Sequence, residues 1–112
     1  MRIAVPLAQG KFSLHFGHCD EFAVFEVDKE DKRIINTEFI QPPAHEPGAL
    51  PRWLSGLQVN TVIAGGMGQR AQMMLNDFDI DVLTGARGES AEVIVQDYLE
   101  DKLTVGDNIC DH

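Results

Sequence analysis

Apolar residues fall along the chain in short runs that change period part-way. Residues 2–7 (RIAVPL) are mostly apolar and predict a first strand, followed by a polar stretch over 8–13 that contains Gly10 and opens a loop. Residues 22–28 (FAVFEVD) and 33–40 (RIINTEFI) are rich in β-branched and aromatic side chains. Their charged connection, Lys29-Glu30-Asp31-Lys32, has hairpin length, so the two predict an antiparallel pair. The period then becomes helical. Leu50, Trp53, Leu54 and Leu57 recur at i, i+3, i+4 and i+7, one apolar face of a helix that follows a proline-rich loop and tolerates Pro51 in its first turn. Residues 60–64 (NTVIA) read as a short buried strand, and the Gly65-Gly66-Met67-Gly68 turn leads to a second helix with an inward face of Ala71, Met74, Leu75 and Phe78. Residues 80–84 (IDVLT) predict another strand. After a turn at 85–88, Ser90 is placed to cap a third helix whose apolar positions are Ala91, Ile94, Val95, Tyr98 and Leu99.

The order is strand, antiparallel pair, helix, strand, helix, strand, helix, and the later strands alternate with helices as in parallel crossover units. The expectation is an α/β fold built on a mixed five-stranded sheet with an antiparallel hairpin and helices on its faces. At 112 residues, with 44% hydrophobic content, the chain is expected to form a single domain over 1–112.

Charge changes the picture of partners more than of fold. The formal net charge is −9 and there is no Lys/Arg cluster, which disfavours nucleic acid and anionic membranes. No run approaches the roughly 20 apolar residues of a membrane span. The N-terminus enters a strand without a signal-like apolar region, so a soluble, cytoplasmic protein is expected. Cys19 and Cys110 lie at opposite ends of the sequence, and free thiols are expected rather than a disulfide framework.

Three places carry candidate chemistry. His15-Phe16-Gly17-His18-Cys19 sets three metal ligands within five positions in the loop after the first strand. Imidazole and thiolate suit zinc, copper, iron and iron-sulfur species. A capped turn with a packed cysteine accounts for the same residues, and the spacing alone leaves both open. Cys110-Asp111-His112 gathers thiolate, carboxylate and imidazole at the end of the chain and could complete a site begun by the first cluster; His45 is a weaker candidate. The third place, residues 64–71, contains G-x-G-x-x-A between a strand and a helix. The following strand ends without the acid a ribose would need, so nicotinamide binding is not expected. Glycine backbone amides at a positive helix end, with Arg70 in the first turn, still describe an anion cradle. Tight strand-to-helix packing explains the glycines equally well. Catalytic arrangements are thin: the serines lack a nucleophile-elbow context, and a Cys19–His pair has no visible orienting group.

Together the opening I-A-V-P, the H-F-G-H-C loop leading into F-A-V-F-E-V, and the V-I-A-G-G-M-G-Q-R-A turn resemble the dinitrogenase iron-molybdenum cofactor biosynthesis family over essentially the whole chain, from Ile3 to about Leu103. The resemblance implies a ribonuclease H-like three-layer α/β/α fold. It does not imply nuclease activity, since the first strand lacks that fold's acidic metal ligand. Family members bind or carry precursors of the nitrogenase cofactor, a nitrogen fixation-related role, and one stand-alone relative holds a molybdenum-copper sulfide cluster. The resemblance implies a cofactor pocket of His15, Gly66, Met67, Gly68 and Arg70. His18 and Cys19 stand where relatives vary, and Cys110 and His112 lie beyond the matched region.

The resulting expectation is a carrier protein, not an enzyme, for an iron-molybdenum or other metal-sulfur cluster. Its metal contacts would be His15, His18 and Cys19, with Cys110 and His112 less favoured. Its partners would be cofactor-assembly or acceptor proteins, and it would be a monomer or weak homodimer. The alternatives are a regulatory or interaction domain with a simple anion or an empty pocket, and a plain zinc or copper site.

Overall fold

The computed structural model describes residues 1–13, 15–16, 19–43, 48–88 and 90–103. Its elements run β1 (Arg2–Ala8), β2 (Lys11–Phe12), β3 (Glu21–Asp28), β4 (Arg33–Ile40), α1 (Ala49–Gly56), β5 (Thr61–Ile63), α2 (Gln69–Asp77), β6 (Asp81–Leu83) and α3 (Ala91–Leu99). The strands form one mixed sheet in the order β4-β3-β1-β5-β6. The β3–β4 hairpin and the β1–β3 pair are antiparallel, while β5 and β6 join parallel to β1.

One strand departs from the five expected. β2 folds back on β1 with Leu7 opposite Phe12 and Ala8 opposite Lys11, leaving Gln9 and Gly10 as a two-residue turn. Both turn residues have positive φ, 54° and 80°, the backbone that matches the twist of a tight hairpin. Gln9 has no special tolerance for that region, which is why the sequence reads there as a loop.

Alternation along β1 and β3 sorts their side chains into two cores. Ile3, Val5, Leu7, Ala23, Phe25 and Val27 pack on one face against Ala91, Ile94, Val95 and Leu99 of α3. Ala4, Phe22, Val24 and Val62 pack on the other against Leu50 and Leu54 of α1 and Leu75 of α2. The sheet therefore lies between α3 and the α1–α2 pair, three layers in all. Leu54 is fully buried, and its truncation to alanine would cost about 2–5 kcal/mol. Phe78, expected on the inner face of α2, is 42% exposed. α2 ends one residue earlier, where Asp79 turns to φ 61°, and Phe78 leaves the helical face. Among the described residues no helix is long and apolar enough to cross a membrane.

Candidate functional site

Parallel strands β1, β5 and β6 point their carboxyl ends at one edge of the sheet, where ligands of open α/β sheets collect. The connection after β2 reaches this edge through Ser13, whose N–H donates to the Pro6 carbonyl at 2.9 Å. His15 then forms an isolated parallel bridge with Gly66, and the Phe16 N–H donates to the Gly66 carbonyl at 2.9 Å. Two segments far apart in the chain thus meet at one point. Phe16 holds the junction from below: its ring is buried and sits edge-to-face on Phe22, centroids 5.7 Å apart. Such a pair adds about 0.5–1.5 kcal/mol beyond the area it buries. His15 itself stays half-buried, with a face toward solvent.

Past Gly66 the chain dips inward before α2. Met67 is 1% exposed and belongs to the core of the α1–α2 face. Its carbonyl accepts from the Gln72 side-chain amide at 3.0 Å. Gly66 is buried too, so of the expected glycine turn and first helical turn only Gly68, half-buried, and Arg70, exposed, reach the surface. Gly68 is the N-cap of α2 and makes no side-chain cap, and the first turn holds no acidic residue. The contrast with α3 is informative, because there Ser90 Oγ accepts from the Val93 N–H and Glu92 lies in the first turn. The start of α3 is already supplied with an acceptor and a negative charge; the start of α2 has neither, and Arg70 adds a cation.

A third segment, which in the sequence is a turn and nothing more, lies against the same edge. The Gly85 N–H donates to the Gly65 carbonyl at 2.8 Å and the Ala86 N–H to the Ala64 carbonyl at 3.2 Å. Gly85 has φ 84°, a conformation glycine enters without strain, and the next residue after the buried Ala86 is the exposed Arg87. The signal that could have found it is the pair Gly85 and Gly88 bracketing a basic residue after a parallel strand.

Cys19 is a different matter. It is buried at 5% exposure among Phe16, Phe22 and their neighbours, not beside His15 at the surface. Burial pushes its thiol up to about 11; a backbone hydrogen bond lowers it in part, and the neighbouring Asp20 carboxylate raises it further. Burial thus favours the protonated thiol, and among the described residues Cys19 joins no group of three or more metal-ligating side chains. His18, His45, Cys110 and His112 lie outside the described residues. Among the described residues no group of three or more His, Cys, Asp or Glu is placed to hold a metal ion. What the backbone brings together is His15, the Gly66 turn, the start of α2 without a side-chain cap and the segment after β6, and the exposed Arg70 and Arg87 belong to the last two.

Fold and edge together define a small α/β protein in which His15 and the Gly66 turn meet at the carboxyl ends of the parallel strands. The chain belongs to the dinitrogenase iron-molybdenum cofactor family, whose model matches residues 1–101. It is 32% identical over 108 residues to the uncharacterized protein MJ0580 of Methanocaldococcus jannaschii, covering 92% of this chain and 89% of that one. The crystal structure of PH0822 superposes with a TM-score of 0.86 at 27% identity, covering 94% of each chain. The apo form of the orange protein of Desulfovibrio gigas superposes at 0.74 with 21% identity, covering 96% of this chain and 93% of that one, a likeness of fold.

Proposed function

We propose that this protein is a non-catalytic, cytoplasmic carrier for a metal-sulfur cluster, an iron-molybdenum cofactor precursor or a related thiometallate, which it passes to cofactor-assembly or acceptor proteins. The observation that carries this reading is the His15–Gly66 bridge, which joins a nitrogen donor to the glycine turn at the start of α2. Thiometallate clusters are polyanions with soft and borderline metal sites. The imidazole of His15 suits such a metal, while Arg70, Arg87 and the first-turn amides of α2 suit the sulfide and oxo charge around it. The chain's net charge of −9 does not oppose this, because distant surface charges are screened within about 10 Å at ordinary salt. Membership of a cofactor family supports the same reading. The hairpin on one side of β1 and the parallel crossovers on the other support a ribonuclease H-like classification of the fold, without an acid at Ile3-Ala4-Val5-Pro6.

Anaerobic reconstitution with iron, sulfide and molybdate tests this directly. Charge-transfer absorption in the visible is expected to appear, to vanish in His15→Ala and to survive in Cys19→Ala. A colourless protein holding one zinc would replace the reading with a plain metal site, and a protein that takes up no metal would replace it with a regulatory domain.

A further inference from the structure

Among the described residues β4 ends the sheet, and one row of its backbone N–H and C=O groups faces no described strand. It is eight residues long and contains neither proline nor lysine, and the features that blunt this edge are Arg33, Glu38 and the register shift beside Ile35. It also exposes two large apolar side chains, Ile35 at 57% and Phe39 at 63%. Ile35 has no opposite residue on β3, because the register shifts beside it.

Chemically, the middle of β4 reads the same from either end. Around Thr37 stand Asn36 and Glu38, both polar, then Ile35 and Phe39, both large and apolar. Exposure repeats the symmetry over these five: Thr37 is half-buried, while 35, 36, 38 and 39 are exposed. The symmetry ends there, because the register shift beside Ile35 leaves Ile34 on the α3 face and Ile40 on the α1–α2 face. A segment palindromic in both chemistry and exposure suits an isologous two-fold contact, since each residue there meets its own mirror position in a second copy.

We propose that β4 pairs antiparallel with β4 of a second copy of this chain about a two-fold axis through Thr37, extending the sheet across two subunits. In this register Ile35 lies opposite Phe39 of the partner subunit, and Asn36 lies opposite Glu38 of the partner subunit, an amide donor facing a carboxylate. The aliphatic-aromatic pair occurs twice, a favourable cross-strand combination. A two-fold normal to the sheet keeps every residue on its own face, so the neighbouring registers centre on Asn36 or Glu38. The first sets the exposed Ile35 opposite Thr37 of the partner subunit; the second sets two Glu38 carboxylates against each other on the axis. Only the Thr37 register matches the pairs from 35 to 39. The sheet face next to this edge carries an open groove of about 480 Å3, floored by Leu7 and Phe25 and walled by Phe39 and Ala91. Phe39 is thus backed by apolar surface on its inner side, and Ile35 of the partner subunit covers its outer side.

Sedimentation of the full chain over a wide concentration range tests the proposal. A reversible dimer is expected, and Phe39→Lys, which enters the contact twice, is expected to weaken it by about tenfold or more. Both side chains are exposed, so the variant keeps its fold, which circular dichroism checks. Register is read separately by oxidation in a Cys110→Ser background. Thr37→Cys is expected to give a disulfide-linked dimer, because residues facing across an antiparallel pair have Cα atoms about 4.5–5.5 Å apart. Ile35→Cys is expected to give none, its copies lying about 13 Å apart along the strands. A monomer at every concentration, a dimer indifferent to Phe39→Lys, or cross-linking through position 35 as readily as through 37 would each overturn the proposal.

Discussion

Ser13 holds the backbone of His15 at both polar groups: its hydroxyl donates to the His15 carbonyl at 2.9 Å and accepts from the His15 N–H at 3.3 Å. Ser13 is itself 5% exposed, so these bonds are made in a place where water does not readily substitute. Its value is positional, since it fixes the residue that brings a nitrogen donor to the Gly66 turn.

Ser13→Ala is therefore expected to lower stability by about 1–3 kcal/mol, the range for removing one partner of a buried hydrogen-bonded group. It is also expected to weaken cargo binding without abolishing it, because the Phe16–Gly66 hydrogen bond remains. Urea unfolding reads the first effect and an absorbance titration with thiometallate reads the second. Unchanged affinity in a destabilised variant would show that the latch serves the fold alone.

Cys19 gives a pH prediction with a definite sign. Its thiol ionises near 11 in the folded protein, against an ordinary value of 9.0. Below about pH 9 both states keep the proton and the group contributes no pH dependence. Between the two values the unfolded chain has lost its proton and the folded chain has not, so stability falls as pH rises, by on the order of 2 kcal/mol across the window. Comparing urea unfolding of the parent and Cys19→Ala from pH 8 to about pH 11 isolates the effect, and the parent should show the steeper decline. Equal slopes would mean that the thiol is not held protonated by burial.

Periodicity and turn chemistry made most of the fold legible. The β3–β4 hairpin, the i, i+3, i+4, i+7 face of α1 and the Ser90 cap of α3 are all local signals, and all three stand in the structure. What local pattern could not supply was direction. Cys19 sits in a polar stretch beside His18 and Asp20, yet packing of Phe16 and Phe22 draws it inward. Met67 lies between Gly66 and Gly68 in a glycine turn and is buried for the same kind of reason, since the chain must enter the core before α2 can cover the sheet. The meeting of His15 with Gly66 follows from strand order, because β1 and β5 are parallel neighbours and the segments beyond their carboxyl ends are brought together. Arg87 required knowing that the connection after β6 is stitched to residues 64–65, a relationship between segments that no spacing encodes.

The start of α2 offers a test in which stability and binding move in opposite directions. Gly68 occupies the N-cap with φ −62° and ψ 150°, a backbone open to any residue, and supplies no side-chain acceptor. Gly68→Asp places a carboxylate where it accepts from first-turn N–H groups and complements the helix dipole, so it should raise stability by about 0.5 kcal/mol. The same carboxylate occupies the amides that an anionic cargo would use and repels it at short range, so thiometallate affinity should drop by about tenfold or more. Gly68→Ala, which adds a side chain without an acceptor, should leave affinity near that of the parent. If Gly68→Asp both stabilises the fold and binds cargo as tightly as the parent, the helix start takes no part in holding the anion and the site must rest on His15 and the two arginines alone.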